Sequence, residues 1–125
     1  MTCPYCNGPV SLTSGAYIYP HRKDLAHKQF YACMPCHAWV GCHPGTITPL
    51  GRIADAELRA AKSAAHAAFD PIWQSGKLTR HQAYRWLAWR LGIPVEHSHI
   101  GMFDVDTCRR TVIECRGHLC AAVRV

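Results

Sequence analysis

The 125-residue chain contains no apolar run near the ~20 residues that a membrane-spanning helix needs. It has no H-E-x-x-H, no P-loop and no serine elbow, so the common signatures of zinc proteases, nucleotide hydrolases and serine hydrolases are missing. Internal repeats and low-complexity segments are absent as well, which excludes a repeat array. Acidic residues are scarce: 8 Asp and Glu stand against 14 Lys and Arg, a formal charge of +6. The excess is uneven. Residues 1–50 hold three basic groups and one acidic, residues 51–93 hold seven and three, and residues 94–125 hold four of each. The middle of the chain therefore carries most of the positive field. That points toward a polyanionic partner, the plainer account being an ordinary soluble protein with a basic tint.

Cysteine, by contrast, is plentiful. Cys3-Pro4-Tyr5-Cys6 and Cys33-Met34-Pro35-Cys36 are two C-x-x-C knuckles. Each knuckle turns two thiolates toward one point, and two complete the tetrahedral shell of a structural zinc ion. Iron can occupy the same shell. His37, Cys42 and His43 are the candidates to replace one cysteine in it, and a small buried apolar role is the simpler expectation for Cys42. Closed by four thiolates, the shell has no position for a reacting water, so one structural Zn²⁺ is expected and no enzymatic activity. Four thiolate charges against one dication leave −2, which lowers the formal +6 to +4. A knuckle at residue 3 leaves no room for a signal peptide, and paired knuckles favour metal over disulfides where thiols stay reduced. The expectation is a protein of the host cell cytoplasm.

The fold class read from the chain is α+β: a zinc ribbon over residues 1–50, then a helical region of three to four helices packed on it over residues 51–125. Asn7-Gly8-Pro9 makes a turn with φ > 0 expected at Gly8. Val10–Thr13, Ala16–Tyr19, Lys28–Ala32 and Ala38–Cys42 read as short strands, being rich in β-branched and aromatic residues at period two. His21–Asp24 reads as an exposed loop, and residues 43–51 as a Pro/Gly-punctuated connector. A helix is expected over Ala54–Phe69, with Asp55 and Glu57 in its first turn. Eight alanines leave it little apolar bulk. Pro71 restarts the chain as a separate short turn.

Thr79-Arg80-His81-Gln82 has the form of a capping box and opens a helix to Leu91, stopped by Gly92. Its buried stripe is Ala83, Tyr84, Leu87, Ala88 and Leu91. Trp86 and Trp89 point the other way. Packing on a second surface is the expectation for them, an exposed platform the alternative. A last helix is capped by Asp104 and runs through Cys115, with Arg109 and Arg110 outward, Val112 and Ile113 inward, and Gly117 ending it. The tail from His118 to Val125 reads as a short strand or a frayed end. His97 and His99, with Cys108 or the tail cysteines, are candidates for a second metal site. Cys108 or Cys115 paired with a histidine is the catalytic alternative.

Arg22 and Lys23 on the ribbon loop, with Lys77, Arg80, Arg85, Trp86, Trp89 and Arg90 around the capped helix, are the candidate nucleic-acid contacts. Basic groups beside tryptophans suit phosphate binding combined with base stacking. Tyr17, Tyr19, Phe30, Tyr31 and Trp39 offer a second aromatic surface on the ribbon, part of it core.

Cys-Pro-x-Cys, Cys-x-x-Cys and an aromatic strand leading into Gly41-Cys42 resemble the C-terminal zinc ribbons of type IA topoisomerases. That resemblance implies single-stranded DNA binding. A longer set looks like a zinc-finger-containing domain family of phage and prophage proteins with no assigned function. The set is Val40–Thr46, Ala54–Arg59, Ala65–Trp73, Ala83–Ala88 and His99–Asp104. The likeness covers residues 1 to about 113 and implies a phage origin and a zinc ribbon fused to helices. The reading drawn from residues and resemblance together is non-catalytic binding of single-stranded or structured nucleic acid. The alternative is an adaptor or inhibitor docking on a host protein. No membrane partner is expected, and the oligomeric state is open.

Overall fold

Ser11–Ser14 (β1), Gln29–Cys33 (β2) and Ala38–Gly41 (β3) pair antiparallel in the order β1-β2-β3. These strands, with the helical turn Gly15–Ile18 (α1), belong to a first compact unit, Met1–Ala56. The second unit, Glu57–Val125, is built from Ala56–Gln74 (α2), Arg80–Leu91 (α3) and Val105–Val123 (α4). The structure is a computed structural model that describes residues 1–123, with side chains through His118. Together these elements make an α+β chain with its four-cysteine cluster ahead of the helices.

In the first unit the register runs Ser11↔Ala32 through Ser14↔Gln29, and Phe30↔Gly41 through Cys33↔Ala38. Alternation sends Phe30 and Ala32 to one face, where they pack with Ile18 and with the partly covered Tyr19, Met34 and Trp39. The Trp39 indole N–H donates to the Tyr19 hydroxyl at 2.9 Å, and the Tyr19 ring meets Phe30 and Trp39 edge-on. Edge-to-face rings add to what their buried area contributes. Trp39 also exchanges backbone hydrogen bonds with Ala54, at 3.0 and 3.1 Å, and this draws the end of the connector onto β3.

The stretch Ala16–Tyr19 departs from the sequence pattern: it forms the single helical turn α1 instead of a strand. The cause is tertiary. The Gly15 N–H donates to the Lys28 carbonyl at 2.8 Å, and the Tyr19 N–H closes on the Gly15 carbonyl at 2.8 Å. A Cβ on Gly15 would lie 1.8 Å from the Leu25 carbonyl oxygen, so only glycine admits this crossing of two backbones. Winding the next four residues brings both Ile18 and Tyr19 to the core, which a pleat would send to opposite faces.

In the second unit α2 is continuous through Pro71. The expected break at Asp70 does not occur. Leu58, Ala65, Phe69 and Ile72 are buried at spacings of seven, four and three, one stripe extending past the proline. Burial on that stripe holds the last turn although Pro71 has no N–H to give the Ala67 carbonyl. Thr79 caps α3 through the expected capping box: its Oγ1 accepts from the Gln82 N–H at 3.1 Å, and Gln82 Oε1 accepts from the Thr79 N–H at 2.9 Å. Gly92, at φ 71°, closes the other end. Replacing Thr79 by Ala leaves the Gln82 N–H with water alone, and a loss of about 1 kcal/mol is expected in chemical denaturation. Ala83, Tyr84, Leu87, Ala88 and Leu91 are all buried.

Asp104 Oδ1 accepts from the Thr107 N–H at 2.8 Å and opens α4. The buried stripe of that helix is Cys108, Thr111 and Cys115. Ile113, expected to face inward, is 68% exposed because it lies two residues off that stripe. Gly117 does not end the helix. Helical backbone continues to Val123, so residues 118–123 do not form a strand, and Arg124 and Val125 lie outside the described residues. Among the described residues, no helix is long and apolar enough to cross a membrane.

Candidate metal centre and exposed residues

Cys3, Cys6, Cys33 and Cys36 bring their four sulfurs to within 4.8 Å of one another. Two turns of like design do this. The Cys3 N–H donates to the Gly8 carbonyl and the Asn7 N–H to the Cys3 carbonyl, both at 2.9 Å, curling the first knuckle on itself. In the second, a 3₁₀ turn over Met34–Cys36 is closed by the His37 N–H on the Met34 carbonyl. The residue after each knuckle is left-handed: Asn7 at φ 60° and His37 at φ 49°. The positive φ expected at Gly8 thus falls one residue earlier. Gly8 serves by size instead, since a Cβ there would stand 3.2 Å from the Cys6 sulfur.

Backbone amides reach the sulfurs: Tyr5 N–H to Cys3 Sγ at 3.4 Å and Gly8 N–H to Cys6 Sγ at 3.3 Å. Cys6 and Cys33 sulfurs stand 3.6 Å apart. Burial works against a Cys3 thiolate, but the N–H groups of Tyr5 and Cys6 and the neighbouring thiols outweigh it and bring the group down to about 7. Cys36 is pushed up to about 12, first by its hydrogen bond with the Cys6 thiol and then by burial. Without a cation the thiols cannot all ionise side by side, whereas a dication at their centre makes four thiolates compatible. The donor set is soft, four-fold and closed, which fits zinc in a structural role.

Among the described residues this is the only such grouping, and no histidine belongs to it. His43 is exposed and Cys42 half-buried on the strand exit, where burial pushes its thiol up. His97 and His99 are exposed, the His99 ring lying 5.2 Å from that of Tyr84. Cys108 and Cys115 are fully buried. Burial pushes both thiols up, Cys115 to about 12, so neither is ionised at neutral pH, the reverse of what a nucleophile requires. The side chain of Cys120 lies outside the described residues.

The candidate nucleic-acid contacts divide between the units. Arg22 and Lys23 are exposed in the first, and Arg22 Nε and Nη2 hold the two oxygens of Asp24 at 2.9 and 2.8 Å. In the second, Lys77, Arg80, Arg85 and Arg90 are exposed. Arg80 stands over the rings of Trp73 and Tyr84, at 6.0 and 5.5 Å. Arg90 pairs with Glu114 at 2.7 Å and lies 5.4 Å from the centre of the Trp89 ring. The two tryptophans part company. Trp86 is half-buried with its ring 4.8 Å from that of His118, and Trp89 is 72% exposed. On the ribbon, Tyr19, Phe30 and Trp39 are core, Tyr31 is half-buried, and Tyr17 is exposed.

One feature of the first unit has no obvious sequence signal beyond the Pro44-Gly45 pair. A groove of about 960 Å³ runs between β2 and the turn that follows β3, lined by Phe30, Lys28, His43, Ile47 and Leu50 among others.

A small antiparallel sheet beside four converging cysteines, ahead of helices, defines a zinc-binding domain of the ribbon type. The family match is to a zinc-finger-containing domain over residues 1–118, and the chain belongs to that family. No curated protein and no solved structure matches it.

Proposed function

We propose that this zinc-stapled protein binds nucleic acid, single-stranded or structured, without catalysing a reaction. The observation that carries the reading is Trp89. Its ring is 72% exposed on α3 with the Arg90 guanidinium 5.4 Å from its centre. Arg85, one turn earlier on the same strip, is exposed. A planar ring facing solvent beside guanidinium groups suits a base stacked between phosphates. The closed thiolate shell supports a non-catalytic role. The resemblance to phage and prophage proteins supplies the setting, a protein of phage origin acting in the host cytoplasm.

Fluorescence anisotropy of labelled single strands and duplexes at two salt concentrations tests this. Affinity should fall steeply with salt, because phosphate contacts release counterions. Trp89→Ala should cost about 1–3 kcal/mol of binding. Absence of binding to every probe at low salt would sink the reading.

A second reading, docking on a host protein, is favoured by the ion pairs. Arg22 is held by Asp24 and Arg90 by Glu114, so two of the candidate cations already have carboxylate partners. The exposed Ile113 adds an apolar group next to Glu114 in the chain. Aromatic anchors rimmed by ion pairs are what protein hot spots use. Such docking would respond little to salt.

A further inference from the structure

We infer that the groove beside β2 in the first unit receives one nucleotide of a single strand, its base against the apolar wall and its phosphate at the basic rim. The inference rests on the nucleic-acid reading above but places a contact away from α3. Three observations carry it.

The groove is built in advance. The turn that walls it, residues 43–48, is fixed by His43 N–H on the Thr48 carbonyl at 2.9 Å and by Thr46 N–H on the His43 carbonyl at 3.1 Å, with Gly45 at φ 72°. The Tyr31 hydroxyl donates to the Ile47 carbonyl at 2.7 Å, and the Leu50 N–H donates to the Gly41 carbonyl at 2.8 Å. These bonds hold Ile47 and Leu50 at 59% and 54% exposure, although aliphatic side chains gain by leaving water. The floor is kept open by Gly41. A Cβ there would rest 3.5 Å from the Phe30 ring and 3.6 Å from Leu50, filling the crevice between them.

Charge is one-sided. Lys28, His27 and His43 line the groove, and none of the described residues lining it is acidic. An ammonium and two imidazoles beside an apolar wall select a ligand with an anionic end and a flat or apolar body. A nucleotide has both within one unit. Gln29 and Thr48, also in the lining, supply amide and hydroxyl groups suited to a base edge. The size agrees, since 960 Å³ lies within the range of pockets that hold small ligands.

The test is an amide-resolved NMR titration of the zinc-loaded full chain with hexathymidylate, repeated with hexaglutamate. Amide shifts at Lys28, Ile47 and Leu50 with the oligonucleotide, and none with the acidic peptide, are expected. Lys28→Glu should weaken hexathymidylate binding about tenfold or more while zinc content and thermal midpoint stay unchanged. Lys28 is exposed, so the variant should fold. Ile47→Ala offers a charge-neutral check in the same direction. Shifts confined to α3, with Lys28→Glu binding as tightly as the parent, would overturn the groove and leave the nucleic-acid reading standing. Equal shifts from hexaglutamate would overturn the nucleotide assignment. No shift anywhere would overturn both.

Discussion

Cys3→Ser, or extraction of zinc by a strong chelator, will unfold the first unit while the helical far-UV signal of the second persists. The sheet is too small to hold itself: three strands of four, five and four residues enclose a cluster of Ile18, Phe30 and Ala32 with three partly covered neighbours. Burial on that scale does not offset the entropy of ordering some fifty residues, so the metal must supply the difference. Structural zinc contributes about 10–16 kcal/mol in finger peptides near neutral pH, far more than any side-chain contact in the unit. Cys3 is the most telling ligand to remove, being fully buried at the root of the first turn. The sign of the pH dependence follows from the ligands. Zinc requires thiolates, so the metal holds their folded-state pKa values below those of the unfolded chain. Its contribution is present above the unfolded thiol range and is lost as pH falls. Metal content against pH and chelator concentration, followed together with the dispersion of the ribbon's amide signals, measures it. A folded, metal-free ribbon would refute the dependence on zinc.

The second large effect is expected from Gly15→Ala. The added methyl would lie 1.8 Å from the Leu25 carbonyl oxygen and 2.6 Å from its carbon, and both are backbone atoms that no rotamer change can move. Relief requires parting α1 from the Lys23–Leu25 turn, which breaks the Gly15 N–H to Lys28 bond and draws Ile18 and Tyr19 out of the core. A loss of about 3 kcal/mol or more is expected. Chemical denaturation of the zinc-loaded protein, with tyrosine and tryptophan fluorescence as the readout, gives the number. A loss below about 0.5 kcal/mol would show that the crossing is not as tight as described.

Features set by local chemistry were legible in the sequence. Two knuckles need only their spacing to point at one ion, and the α3 capping box is a four-residue signal with a mechanism of its own. The α3 stripe from Ala83 to Leu91 follows from helical period alone. What escaped was decided at a distance. Ala16–Tyr19 has the composition of a strand, and the carbonyl that anchors its helical turn, through the Gly15 N–H, comes from Lys28. Pro71 reads as a break, and the continuing stripe at Phe69 and Ile72 keeps the helix whole. Ile113 is apolar and sits in an amphipathic helix, yet the inward positions belong to Cys108, Thr111 and Cys115, which look less suited to a core. Trp86 and Trp89 cannot be separated by pattern, because the difference lies in a neighbour, His118, on another helix. At the metal centre the four donors could be read, but Asn7 and His37 could not. Their left-handed backbones are what let each chain segment leave its knuckle.

The placing of the second knuckle has a consequence in time. Cys33 and Cys36 stand at the head of the β2–β3 hairpin, so contacts a few residues apart bring their thiols together. Cys6 and Cys33 are separated by 27 positions, and closing that loop costs chain entropy the hairpin does not face. Assembly should therefore be ordered, with the hairpin half-loading an ion through two sulfurs before the first knuckle arrives to seal it. In that order the nascent sheet edge of β2, still waiting for β1, is the surface most exposed to mispairing, and free zinc concentration sets how long it waits.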